Sequence, residues 1–216
     1  MSSVALARIY QAQFNARPTT TLAVTNGSLS ALADIIAQSA QLFNARKHHS
    51  HHHKIDPPPL DHYDVHRTLR FAAFGVAMGP LIGRWNKFLE HAFPLRPARV
   101  GARYGASSKV SLRALGKRVL GDQLIMAPIG LGLFVGSMGL MEGRNAAGVR
   151  QKYADMYLPA IVANWKVWPV AQLINFRFMP LPYRVPFQAT CGVFWTLYLS
   201  LLNAREDERL DGDRHN

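Results

Sequence analysis

Two aspartates stand where an ionisable group is costly. Asp34 is the only ionisable residue in the stretch 22–43, and Asp122 lies at the entrance to an uncharged run, residues 124–141. A carboxylate in such a setting pairs with a cation, collects hydrogen bonds or meets water. Gln38 follows Asp34 by one helical turn, Gln123 follows Asp122, and Gln172 and Asn175 are three apart, so they share a face of any helix that carries them. Arg67 and Arg70 precede a second uncharged run. Groups of this kind glue helices together inside a membrane or line a hydrated path for ions and small solutes. For Asp34 the candidate partners are Arg70 and Arg84. For Asp122 the simpler role is to anchor the entrance of its helix. Catalytic chemistry is not legible: the chain has no Ser/His/Asp spacing, no Gly-rich phosphate loop, no HExxH and no CxxC. The expectation is a protein that is not an enzyme and takes no cofactor. His48, His49, His51, His52 and His53 precede Pro57, Pro58 and Pro59. Such a cluster has metal-binding chemistry, but the triple proline reads as an extended hydrated loop over residues 44–62, and no metal site is assigned. Cys191, the single cysteine, excludes an internal disulfide framework and a Cys-built zinc site.

These residues need long apolar elements to hold them. The chain has 216 residues, 49% hydrophobic and 18% charged, with a formal charge of +12. That length suits a single domain over residues 1–216. Four stretches are nearly free of charge: residues 22–43, 71–83, 124–141 and 185–204. About 20 apolar residues cross a bilayer core. The last two pass on length, the second passes if Arg70, Arg84 and Lys87 snorkel, and the first passes if its polar side faces other helices. A soluble all-α protein with apolar core helices is the competing reading. The glycines weigh against it. Gly75, Gly79 and Gly83 recur every four residues, as do Ala23, Gly27 and Ala31, while Gly132 and Gly136 form another such pair. In water a helical Gly costs about 1 kcal/mol relative to Ala; in lipid, small residues let helices approach closely. Pro80 and Pro128 are candidate kinks. The expected fold is all-α, an integral membrane bundle of four transmembrane helices with short amphipathic interfacial helices.

The connections carry the charge. Arg8 and Arg17 precede the first acid, Asp34, a start compatible with a mitochondrial targeting signal. Arg96, Arg99, Arg103, Lys109, Arg113, Lys117 and Arg118 follow one another without an acid. Nucleic acid is not the expected partner, because base-stacking aromatics are missing; anionic lipid is. Residues 142–184 combine Tyr153, Tyr157, Trp165 and Trp168 with Lys152 and Lys166, a membrane-boundary mix, and Pro159, Pro169, Pro180 and Pro182 are expected to break it into short pieces. Trp85, Trp165 and Trp168 are the expected interface anchors. The polar tail, residues 205–216, is expected to fray. Four spans place both termini and the basic connection on one side of the membrane.

The run Asn164-Trp165-Lys166-Val167-Trp168-Pro169-Val170-Ala171-Gln172-Leu173-Ile174-Asn175-Phe176, with Pro180, Arg184, Trp195, Tyr198, Leu199 and Ser200 after it, resembles the signature of the Mpv17/PMP22 family. Tyr10, Pro18, Gly27, Asp34 and Gln38 are similar to its first-span pattern. Asp64, Arg67, Arg70, Gly75, Gly79, Pro80, Trp85 and Leu89 resemble its second, and Lys117, Asp122, Gln123 and Pro128 its third. Gly83 and Asn86 depart from it, standing where a His and a Tyr commonly flank the tryptophan, and Ala33 replaces a usual Gly. The resemblance implies a small four-span protein of the mitochondrial inner or peroxisomal membrane. It also implies a channel or pore that passes ions or small metabolites and modulates membrane potential, with links to mitochondrial homeostasis and stress response. The N-terminal arginines favour the mitochondrial inner membrane. A non-conducting scaffold is the alternative, and self-association into a homo-oligomer is left open.

Overall fold

The computed structural model describes residues 3–48, 62–96 and 110–214, and these are all-α. The helices are α1 (Ser3–Ala16), α2 (Pro18–His48), α3 (Val65–Ala92), α4 (Leu112–Gly121), α5 (Ala127–Met141), α6 (Ala146–Phe178) and α7 (Leu181–Arg214). A π turn, Asp122–Met126, joins α4 to α5, so Leu112–Met141 is one continuous helix of 30 residues. Local chemistry sets the starts. Pro18 opens α2, where its missing N–H is not needed. The side chains of Ser111 and Asn145 accept from the backbone N–H groups of Ala114 and Gly148 at the starts of α4 and α6. Gly143, with φ +74°, makes the tight turn between α5 and α6.

The chain divides into two compact units, one holding Met1–Leu22 with Pro80–Gln188, the other Ala23–Gly79 with Ala189–Asn216. In the second unit α2 and α3 lie antiparallel and very close. Asn26 donates to the carbonyl of Gly75 at 2.8 Å. A Cβ on Gly75 would sit 2.8 Å from the Asn26 carbonyl oxygen and closer still to Ser30 Oγ, so this small-residue contact is obligatory. Gly27, against Val76, is its counterpart on α2.

In the first unit α6 runs antiparallel to the Leu112–Met141 helix along its whole length. Val149 meets Gly139, and Tyr153 covers Gly136 and donates to the carbonyl of Gly132. Tyr157 donates to the Pro128 carbonyl, Trp165 to that of Gln123, and Gln172 reaches Asp122. The expectation that prolines break this segment is overturned for Pro159 and Pro169, which lie inside a continuous 33-residue helix. An interior proline costs about 3 kcal/mol, and packing of α6 against its neighbour over that length offsets it. Pro180 does act as a breaker: Met179 before it is extended and closes α6. At the foot of this pair Leu89, Leu115 and Phe176 form an apolar core, flanked by Trp85, Phe93, Leu95 and Val119.

Two further expectations are corrected. The tail remains helical to Arg214, since no proline follows Pro186 and no glycine lies between Gly192 and Gly212. The histidine loop expected over 44–62 starts later, because α2 continues to His48; residues 49–61 lie outside the described residues. Among the described residues, Leu112–Met141 is the one helix long and apolar enough to cross a membrane by length and composition. Polar groups punctuate α2, the uncharged part of α3 is short, and residues 185–204 extend beyond the described side chains.

Buried positions mix apolar side chains such as Leu89, Val135, Met138 and Ile161 with an unusual number of polar ones. Buried side chains include Asn26, Asp34, Gln38, Asn86, Arg118, Asp122, Gln123, Gln172, Asn175 and Arg184. Only 22% of the apolar window in Leu112–Met141 is buried, and Leu124 and Ile129 are 62% and 51% exposed.

Candidate functional site

The buried polar side chains form two networks. The first surrounds Asp34 on α2, which faces the first turn of α3. Arg67 Nε lies 2.8 Å from Asp34 Oδ1. Gln38 and Thr68 both donate to Asp34 Oδ2 at 2.7 Å. Gln38 also clasps Asp64, donating to its carbonyl at 2.9 Å and accepting from its N–H at 2.8 Å. Asp64 in turn caps α3 by accepting from the Arg67 N–H, and its other oxygen pairs with Arg70 at 3.3 Å. That N–H and the nearby Arg70 cation hold the Asp64 carboxyl below its ordinary pKa. The expected partners of Asp34, Arg70 and Arg84, are therefore replaced by Arg67. The pairing places Asp34 level with the start of α3, where the uncharged run has not yet begun.

The second network surrounds Asp122, the first residue of the π turn. Trp85 donates to Asp122 Oδ1 at 3.1 Å, while Gln172 and Gln123 donate to Oδ2 at 2.7 and 3.0 Å. Asn164 donates to Gln123 Oε1, and Asn175 to Gln172 Oε1, so Gln172 and Asn175 do share a face. The π turn follows from Pro128. The Ala127 N–H bonds back to Asp122 rather than to Gln123, and Pro128 has no N–H to offer. The Gln123 carbonyl is thereby released from the helix ladder, and the indole of Trp165 satisfies it at 3.0 Å. A one-turn π segment beside a buried carboxylate is a common device at functional positions.

Trp85 and Trp165, expected as interface anchors, are both hydrogen-bonded into this network; Trp168 is half-buried. Pro80 lies inside α3, and Gly79 is buried. Thr68 escaped the sequence reading, and Asn164 and Asn26 received no role in it, since isolated Thr and Asn residues carry no pattern of their own. Four side chains of the first unit carry buried polar atoms with no hydrogen-bond partner in the protein: both amide atoms of Asn86, Arg118 Nη1, Asn175 Oδ1 and Gln188 Oε1. Tyr10 donates to the Pro182 carbonyl at 2.7 Å and packs on Tyr183; burial, with Tyr183 second, pushes its phenol up to about 12. Among the described residues no three His, Cys, Asp or Glu side chains gather as a metal site.

Comparison with known proteins returns one family. A profile described as the Mpv17 / PMP22 family matches residues 139–200, which cover α6 and the first part of α7. Over 199 residues the chain is 34% identical to Protein sym1 of Schizosaccharomyces pombe, covering 90% of this chain and 89% of that one. It is 35% identical to Protein SYM1 of Gibberella zeae, with 92% and 97% covered, and 32% identical to Protein SYM1 of Saccharomyces cerevisiae, with 94% and 93% covered. No solved structure matches it.

Proposed function

Since the chain belongs to the Mpv17/PMP22 family, we propose that it is a multi-pass organellar membrane protein working as a small channel or pore for ions or small metabolites. It would modulate membrane potential and serve mitochondrial homeostasis under stress. The exposed apolar face of Leu112–Met141 supports the membrane setting, because its Leu and Ile side chains need an apolar solvent. The four uncharged stretches are the crossings of this reading, and α6 packs beside Leu112–Met141. The observation that carries conduction is the set of unsatisfied amide atoms on Asn86, Asn175 and Gln188, which belong to three different helices of one unit. A buried polar atom without a partner costs about 1–3 kcal/mol, a cost that water or a polar solute passing through the interior removes. The mitochondrial inner membrane is the proposed location, with the peroxisomal membrane as the alternative. A tag read against markers of both organelles decides it, and exclusive peroxisomal signal overturns the mitochondrial reading.

A second reading, a non-conducting scaffold, is favoured by the way the donors around Asp34 and Asp122 close on those carboxylates. Planar-bilayer recording of the purified protein separates the two. Reproducible conductance that Asp34→Asn lowers or makes insensitive to voltage supports the channel. Silence across lipids and voltages supports the scaffold.

A further inference from the structure

A cavity of about 370 Å³ opens in the first unit, next to the Asp122 network, whose Asn175 donates to the carbonyl of the lining residue Arg184 at 3.4 Å. Its walls come from the C-terminal end of α3, from α4 and from the α6–α7 turn, and they carry Arg96, Arg118, Arg177 and Arg184 against a single carboxylate, Glu90. Two of these arginines are interior residues. Arg118 is 2% exposed and Arg184 is 4% exposed. Each is fixed by backbone: Arg118 Nε donates to the Phe93 carbonyl at 2.8 Å, and Arg184 Nε to that of Met179 at 3.2 Å. Arg184 Nη1 pairs with Glu90 Oε2 at 3.0 Å, so the one carboxylate is already engaged. Arg118 Nη1 is buried and has no hydrogen-bond partner.

A buried guanidinium without a counter-charge is costly, and removing the partner of such a charge typically destabilises strongly. Here two are buried and held in place, two more stand at the cavity wall, and one partly exposed carboxylate faces them all. That arrangement is preorganised for an anion. Guanidinium forks match the oxygens of a phosphate in geometry as well as charge. The volume falls within the range of small-ligand sites, about 300–1,000 Å³. Phe176, Phe178 and Leu95 supply apolar wall beside the arginines, and cations are repelled. We propose that this cavity binds a phosphate-bearing anion, either the headgroup of an anionic lipid or the phosphate of a soluble metabolite. The site does not depend on conduction and stands even if the protein is a scaffold.

The test uses the full-length protein in phosphatidylcholine nanodiscs. Inorganic phosphate is titrated by calorimetry, and retention of phosphatidylglycerol against phosphatidylcholine is read by native mass spectrometry. Arg177→Gln changes an exposed side chain and preserves the fold; it is expected to weaken anion binding about tenfold, as loss of one charge-assisted contact does. Glu90→Gln removes the competing carboxylate and is expected to strengthen binding by a similar factor. Saturable phosphate binding that moves in these opposite directions supports the proposal with a soluble ligand. Selective phosphatidylglycerol retention that follows the same two variants supports it with a lipid headgroup. No saturable phosphate binding together with no selective retention overturns it, as does binding or retention that neither variant changes.

Discussion

Asp34 and Asp122 are both buried carboxylates on long helices, yet different chemistry holds them. Asp34 meets a full cation, Arg67, whose side chain is still 27% exposed, and its other oxygen takes two side-chain donors. Among the described residues no cation pairs with Asp122; its donors are the neutral groups of Trp85, Gln172 and Gln123. The first site is an ion pair at the mouth of a helix pair, with water within reach of its basic half. The second is a dipolar cage that depends on several helices keeping their places. The lesson is that the cage is the more fragile of the two, because two of the donors it strands, Gln123 and Gln172, are both buried.

The largest expected effect follows directly. Asp122→Leu leaves the Trp85, Gln172 and Gln123 donors without their acceptor; at about 1–3 kcal/mol for each stranded group, the loss is on the order of 4–6 kcal/mol. Denaturant unfolding in detergent measures it. Asp34→Asn is expected to cost less, about 1–2 kcal/mol, since Arg67 can turn toward water and its pairing is already screened. A greater loss for Asp34→Asn than for Asp122→Leu would invert the comparison.

A smaller effect isolates the π turn. Trp165→Phe removes the donor to the Gln123 carbonyl and is expected to cost about 1 kcal/mol. In a Pro128→Ala background the chain regains an N–H beside that carbonyl, so the same change is expected to cost less, with a coupling of about 0.5–1 kcal/mol. Additive losses would mean that the indole bond and the missing proline N–H are unrelated.

The smallest effect is at Asp64, on the rim of the ion-pair site. Its pKa is lowered in the folded protein, so its contribution is present above the ordinary carboxylate pKa and is lost as the pH falls through the lowered value. Stability measured below about pH 4 is expected to fall less steeply in Asp64→Asn than in the parent. Identical slopes would show that the cap and the Arg70 pair contribute nothing.

Much of this was legible in the chain and some was not. The helix class, the obligatory Gly75 contact and the shared face of Gln172 and Asn175 follow from spacing, because a helix places residues three and four apart on one side. Asp34 and Asp122 declared themselves by standing alone among apolar neighbours. Partner choice was not readable: Arg67 and Arg70 are equally near in sequence, and only the register of α2 against α3 gives Asp34 to the first and Asp64 to the second. The length of α6 was hidden by Pro159 and Pro169, whose local cost is plain in the sequence while the packing that offsets it is not. Arg118 read as one charge of the basic connection and Arg184 only as part of the family run, since a basic residue gives no sign in sequence of being buried.

The long pairing of α6 with Leu112–Met141 alters a matter of parity. Four passes return a chain to the face it started from; a fifth does not. A crossing by α6 beside its neighbour would make a fifth pass and put the ends of the protein in different solutions, against the four-span expectation. One end brings Arg8 and Arg17 with no acid, and the other brings Glu206, Asp207, Glu208, Asp211 and Asp213 against Arg205, Arg209 and Arg214. In that arrangement the two extremities would face opposite sides with opposite net charge, and an energised membrane would favour one of the two orientations.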